Sequence, residues 1–225
     1  MFAQTRGSGW LRLAEIYPPL DSEDKKAHLR IVAGKHRGRR LNSPATLDTR
    51  PTSDRLRETL FNVIAPRIRG VRFLDLCAGS GAVGIEAHSR GAAHATFVDR
   101  SRKMRGLIEA NLELCRVPED EVRVVTADAV EFLRKAVKGK LPAWDIVFFD
   151  PPYAENYLTV LDLFGANAPE LLSDDGILIV EHYHKTELPD EVGKIKRARI
   201  LRQRDSALSF YSNDTIPALD HLAVH

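Results

Sequence analysis

The chain has 225 residues, 44% hydrophobic and 28% charged, which suits one α/β domain with a small appendage. No apolar run approaches the ~18 residues a membrane helix needs, and Arg6, Arg12, Glu15 and the Pro18-Pro19 pair interrupt any secretory core near the start. The net charge of +2 hides an asymmetry: from Arg30 to Arg72 eleven Lys/Arg face three Asp/Glu (+8), and elsewhere twenty-two face twenty-eight (−6). A basic front on an acidic body is a footprint of nucleic-acid binding, although a solvated basic surface would look the same. Cys77 and Cys115 are expected inside core elements, with no CxxC spacing and no clustered histidines. That argues for a reducing, cytoplasmic setting and against structural zinc.

In chain order, residues 1–28 lack periodicity and read as a flexible N-terminal extension. Residues 29–33 and 39–41 flank Gly34-Lys35-His36-Arg37-Gly38, which predicts a β-hairpin with a basic tip. Arg50-Pro51-Thr52-Ser53 leads into a helix with Ser53 as N-cap, an apolar stripe of Leu56, Leu60, Ile64 and Ile68, and Pro66 to end or bend it. The hairpin and helix, 29–70, form a unit expected to face RNA. A domain of strand–helix alternation follows at 71–215, then a tail at 216–225. Strands are expected at 72–76, 95–98, 123–126, 145–149 and 176–181, with helices at 83–89, 102–114, 129–137 and 156–168 between them. Two further strands, near 195–201 and 207–211, make seven in a doubly wound, Rossmann-like and mostly parallel sheet.

Phe73-Leu74-Asp75-Leu76-Cys77-Ala78-Gly79-Ser80-Gly81-Ala82-Val83-Gly84 is a strand, a glycine turn and a helix start. Glycines permit close approach to a ligand, and the helix beyond offers unsatisfied N–H groups. Asp99, ending the next strand beside Arg100, can accept both ribose hydroxyls of an adenosine. These features suit NAD and S-adenosylmethionine alike. Asp75 favours the second, because a carboxylate there repels a pyrophosphate but complements an α-ammonium. Asp128, before Ala129, can take the adenine amine or cap the following helix, and the two roles are compatible.

The fourth strand runs into Asp150-Pro151-Pro152-Tyr153, at the sheet edge where open α/β folds bind ligands. An aromatic amine is a poor nucleophile. Hydrogen bonds from it to the Asp150 carboxylate and the Pro151 carbonyl would aim its nitrogen at a methyl donor, and Tyr153 would stack on an extruded base. The prolines stiffen the turn and add no competing donors.

Arg30-Ile31-Val32-Ala33-Gly34, Arg37-Gly38-Arg39, Arg50-Pro51-Thr52, Arg55, Leu60-Phe61-Asn62, Ala78-Gly79-Ser80-Gly81 and Asp150-Pro151-Pro152-Tyr153 together resemble the RsmD family over roughly 29–212. Those bacterial enzymes methylate the N2 amine of a guanine in small-subunit ribosomal RNA. The resemblance implies S-adenosylmethionine as cofactor, no metal, no membrane partner, and ribosomal RNA or the assembling small subunit as partner of a monomer. It places Asp150 to Tyr153 in the catalytic turn and Asp75, Ala78, Gly79, Ser80, Gly81, Asp99, Arg100, Asp128 and Ala129 around the cofactor. Lys35, Arg37, Arg39, Arg40, Arg50, Thr52 and Arg55 would meet RNA. Three alternatives stand beside it: an adenine N6 methyltransferase, an NAD-dependent oxidoreductase, and a non-catalytic ribosome-assembly RNA binder. His182 and His184 are expected at the surface rather than as ligands.

Overall fold

The computed structural model describes residues 29–44, 54–152 and 157–213. Its centre is one eight-stranded sheet, comprising β1 (Arg72–Leu76), β2 (His94–Asp99), β3 (Val122–Thr126), β4 (Trp144–Phe149), β5 (Leu172–Tyr183), β6 (Glu191–Val192), β7 (Ile195–Gln203) and β8 (Ser206–Asn213). The order across it is β3-β2-β1-β4-β5-β8-β7-β6. Strands β1 to β5 run parallel, and β8, β7 and β6 close one edge antiparallel. The two-residue β6 is the strand that alternation does not predict, being too short to carry a period.

Helices fill the crossovers: α1 (Asp54–Ile64), α2 (Ala82–Ser89), α3 (Arg102–Leu114), α4 (Ala129–Lys138), α5 (Tyr157–Ala166) and the short α6 (Ala168–Leu171). The predicted helix from 156 to 168 breaks at Asn167, and Pro169 lies in the first turn of the short helix that follows. Central strands are apolar on consecutive residues because both faces are covered. On β1 and β4, Phe73 and Phe148 join the core under α1, while Leu74 and Phe149 join the core under α4 and α5.

Basic residues 30–40 fold back antiparallel around a basic tip, in limbs too short to be regular strands. One antiparallel bridge, Arg30 to Arg40, and backbone hydrogen bonds from Ile31 to Arg39, Gly38 to Ile31 and Leu41 to Leu29 hold the two limbs, and the intervening turn lies against α2. The anchor is Glu86, a fully buried carboxylate in the middle of α2. It accepts hydrogen bonds from the backbone N–H of Val32 (2.7 Å) and of Ala33 (2.9 Å), and pairs with Arg90 at 2.7 Å. The buried Arg57 of α1 lies 3.9 Å from Glu86 and donates to the Arg30 carbonyl. At the end of α2, Ser89 accepts from the Lys35 N–H through its carbonyl and from the His36 N–H through its hydroxyl. Gly34, at φ +83°, fits only without a side chain, since a Cβ would stand 1.9 Å from the Ser89 carbonyl oxygen.

Removing one member of a buried charge network strands the others, at a cost of about 3–5 kcal/mol. Glu86→Ala should therefore lower unfolding free energy by about that amount, with a smaller loss for Glu86→Gln, both measured by urea unfolding. Hydrogen exchange should accelerate selectively at the Val32 and Ala33 amides; unchanged protection there would refute the anchor.

Candidate active site

The carboxyl ends of β1 to β5 open into a cleft of about 700 Å³. The glycine loop forms one wall. Its backbone takes positive φ at Cys77 (+61°), Gly79 (+54°) and Gly81 (+77°), and Cys77 is the residue whose side chain makes that conformation costly. Cys77 borders the cleft rather than the core element expected for it. A Cβ at Gly79 would meet nothing within 4 Å, so the loop surface is open to an incoming group. Gly84 has a different reason: a Cβ there would lie 2.3 Å from the Phe97 ring, and only glycine lets α2 sit this close to β2.

Asp75, fully buried, accepts from the Gly84 N–H at 2.8 Å. Burial, followed by the nearby Asp99 charge and opposed by the Gly84 hydrogen bond, pushes its carboxyl up to about 8. Asp99 accepts from the Gly79 N–H at 2.9 Å on one oxygen and from the Ser101 N–H at 2.8 Å on the other. It therefore shapes the loop that it would share with a ligand. Asp128 caps α4, accepting from Val130 (2.9 Å) and Glu131 (3.2 Å) through one oxygen. Ala78, Ser80, Arg100 and Ala129 also line the cleft.

Asp150 follows β4 directly, and its N–H reaches the Leu76 carbonyl at 3.4 Å. Asp150, Pro151 and Pro152 line the same cleft as Asp75 and Asp99. Tyr153, Arg50 and Thr52 lie outside the described residues. Arg55 lines the cleft from the start of α1. Lys35, Arg37, Arg39 and Arg40 are exposed, on the docked loop. Lys35 turns toward His88 (3.1 Å) and Glu121 (3.4 Å). His36 stacks on His88 with ring centroids 5.5 Å apart. Burial first, then the neighbouring His88, Lys35 and Arg39 charges, lowers His36 to about 4, and burial also lowers His88 against the opposing pull of Glu121.

Several features escape a reading of the sequence. Asn111, inside α3, donates to the Ser80 carbonyl at 2.9 Å and exchanges hydrogen bonds with the Asn42 backbone, tying the glycine loop to the segment after the basic turn. Glu181, Arg204 and Ser206 also line the cleft, and only the position of Glu181 at a strand's carboxyl end could have pointed to it. His182 is buried, against the surface position expected for it, with Nε2 at 2.9 Å from the Ser209 hydroxyl. It occupies the sheet pairing with β8, and a hydroxyl partner makes its burial tolerable.

Among the described residues, no group of three or more His, Cys, Asp or Glu could hold a metal ion, and no helix is long and apolar enough to cross a membrane. A glycine loop after β1, carboxylates at the ends of β1, β2 and β3, and an Asp-Pro-Pro turn after β4 define a Rossmann-like, S-adenosylmethionine-dependent methyltransferase. The family described as "Conserved hypothetical protein 95" matches residues 29–212. The chain belongs to this family, the RsmD family. It is 40% identical over 162 residues to ribosomal RNA small subunit methyltransferase D of Escherichia coli K12, covering 72% of this chain and 78% of the relative. It is 39% identical over 171 residues to YlbH of Bacillus subtilis, a candidate rRNA methyltransferase, with 76% and 91% covered. The solved structure of yhhF, a candidate methyltransferase from Escherichia coli, superposes with a TM-score of 0.72 at 33% identity, covering 84% of this chain and 99% of that one.

The raised Asp75 carboxyl has a measurable consequence. The folded protein holds a proton there that the unfolded chain releases, so this group's contribution is full below the usual 3.8 and is lost as pH rises through about 8. Other carboxylates act in the opposite sense, so the readout is the difference from Asp75→Asn. The variant should gain on the parent progressively between those two values when cofactor-free protein is unfolded in urea; a pH-independent difference would contradict the assignment.

Proposed function

We propose that this chain transfers a methyl group from S-adenosylmethionine to the exocyclic N2 amine of a guanine in small-subunit ribosomal RNA. The observation that carries the reading is the shared cleft: Asp150 and Pro151 lie in one cavity with Asp75, Asp99 and the glycine loop. Bound there, the cofactor would supply an electrophilic methyl on a sulfonium. Asp75 suits its cationic amino-acid end, Asp99 its ribose and Asp128 its adenine edge, each as an acceptor at the end of a successive strand. The open backbone at Gly79 leaves room for the group to approach.

The protein's share of catalysis is orientation and electrostatics. Asp150 and the Pro151 carbonyl would accept the two N–H bonds of the target amine and hold its nitrogen toward the methyl. These hydrogen bonds strengthen as the nitrogen gains positive character, so they act mainly on the transition state. No proton need leave before attack, because an aromatic amine is neutral. As the N–C bond forms the S–C bond breaks, leaving a neutral thioether, and the methylated nitrogen then gives up its extra proton to the Asp150 carboxylate or to water. Residues 29–70 would face the RNA and 71–215 would carry the chemistry. Lys35, Arg37, Arg39, Arg40, Arg50 and Arg55 would neutralise phosphates, with Thr52 donating a hydrogen bond, and so fix register rather than read sequence. The RNA methyltransferase names of relatives that the chain covers over most of their length support this substrate.

The test is methyl transfer from labelled S-adenosylmethionine to small-subunit particles and to naked ribosomal RNA, followed by nucleoside analysis. N2-methylguanosine is the expected product; N6-methyladenosine would move the protein to the adenine class, and no transfer to either would favour a non-catalytic binder. Asp150→Ala should reduce single-turnover methylation by about 10²–10³-fold, with Asp150→Asn between it and the parent and cofactor affinity unchanged by calorimetry. Methylation by Asp150→Ala at the parental rate would make the turn structural.

A further inference from the structure

The cleft has two halves. Asp75, Asp99 and Asp128 sit at the ends of β1, β2 and β3, on one side of Asp150. On the other side, β5 and the β7–β8 turn contribute Glu181, Arg204 and Ser206, which the cofactor reading does not use. Strand pairing fixes how these groups follow one another. Phe149 of β4 is the register partner of Val180 of β5, so Asp150 and Glu181 each come directly after a paired residue, on strands about 4.8 Å apart. Beyond β5 lies β8, whose Ser206 pairs with Gln203 of β7 across a turn containing Arg204. Read across the sheet, the cleft therefore offers a carboxylate, a second carboxylate and a guanidinium.

That order matches one base edge. Guanine presents N2–H, N1–H and the O6 acceptor in sequence: donor, donor, acceptor. Adenine presents an amine beside an N1 acceptor, which would face a carboxylate lone pair. We propose that Glu181 is a specificity-determining residue that accepts the N1–H of the target guanine beside Asp150, and that Arg204 donates to O6. This rests on the guanine-N2 reading above and extends it from the reacting amine to the rest of the base.

Two observations support the choice of residues. Glu181 borders the cleft while only 8% exposed, so its carboxylate would meet a base edge largely out of bulk water, where a hydrogen bond discriminates most. Arg204 takes φ +54°, a conformation that glycine or asparagine would adopt more cheaply, yet the turn places a long cationic side chain at the cleft. A site that pairs buried polar groups with a base edge rejects analogues strongly, because a mismatch leaves those groups facing like partners.

Two analogues separate this from the reading beneath it. Both 2,6-diaminopurine and 2-aminopurine keep the N2 amine, but N1 becomes an acceptor, and O6 becomes an amine in the first and a hydrogen in the second. After the methylated position is mapped with unmodified RNA, each analogue is placed there singly and kcat/KM is measured. The parent should prefer guanine to 2,6-diaminopurine by about 10²-fold or more. Glu181→Gln, whose amide can donate to an N1 acceptor, should shrink that preference by about tenfold or more while cofactor affinity stays unchanged. Arg204→Ala, an exposed change that spares the fold, should lower activity on guanine and leave activity on 2-aminopurine, which lacks O6, as it was. If the parent makes N2-methylguanosine and both variants keep the parental ratios, the assignment of Glu181 and Arg204 is wrong and the function stands. If the parent makes no N2-methylguanosine, both fall.

Discussion

The buried carboxylate of Glu86 is the contact on which the rest of the arrangement depends. It belongs to a helix of eight residues that serves two regions at once. The first turn of α2 leaves the glycine loop, with Gly81 at its N-cap and Gly84 pressed on Phe97; its last residue, Ser89, receives the basic turn. Glu86 lies between, satisfied by two backbone N–H groups and facing two arginines. A charge out of water is tolerable only with partners of this number and polarity. The loop proposed to meet RNA is thereby fixed to the same short rod as the loop proposed to meet cofactor, with little freedom between them.

A second polar tie reinforces the first from another helix. Asn111 of α3 joins the Ser80 carbonyl to the backbone of Asn42, and Ser43 and Pro44, next along the chain, line the cleft. The residues after the basic turn are thus part of the cavity wall. Lys35, by contrast, is drawn to His88 and Glu121 around the other end of α2, about 12 Å along the helix from the glycine loop by its rise per residue. Lys35 and the glycine loop thus lie at opposite ends of one short helix.

What could be read in the sequence follows from the range of the forces involved. Alternation, the glycine turn and the carboxylates at strand ends are local signals, and Arg72–Leu76 and Arg102–Leu114 emerge at the residues expected for them. The Asp150-Pro151-Pro152 turn is local too. The Glu86 network is not: the two N–H groups it accepts from stand more than fifty residues away, and a glutamate on a short helix ordinarily reads as solvated. Asn111 and the buried His182 are illegible for the same reason, since only the fold reveals a carbonyl or hydroxyl waiting for each. The limbs predict a hairpin, and they do pair with each other, but Val32, Ala33 and Lys35 also give their N–H groups to α2, a docking that the local sequence does not show.

The acidic residues of the cleft also divide by environment, and the division follows chemistry. Asp99 and Asp128 lie nearer the surface, each accepting backbone N–H bonds, and in the proposed reading each keeps a lone pair for a neutral hydroxyl or amine group. Asp75 lies deeper, with its proton held by burial, so it carries charge only when something cationic repays the desolvation. A sulfonium-bearing amino acid can do so, whereas a pyrophosphate would oppose it. A deep carboxylate that ionises only against a cation thus suits the amino-acid end of S-adenosylmethionine in the proposed reading. In that reading the choice between cofactors would come from the depth of one carboxylate rather than from the glycine pattern, which both could share.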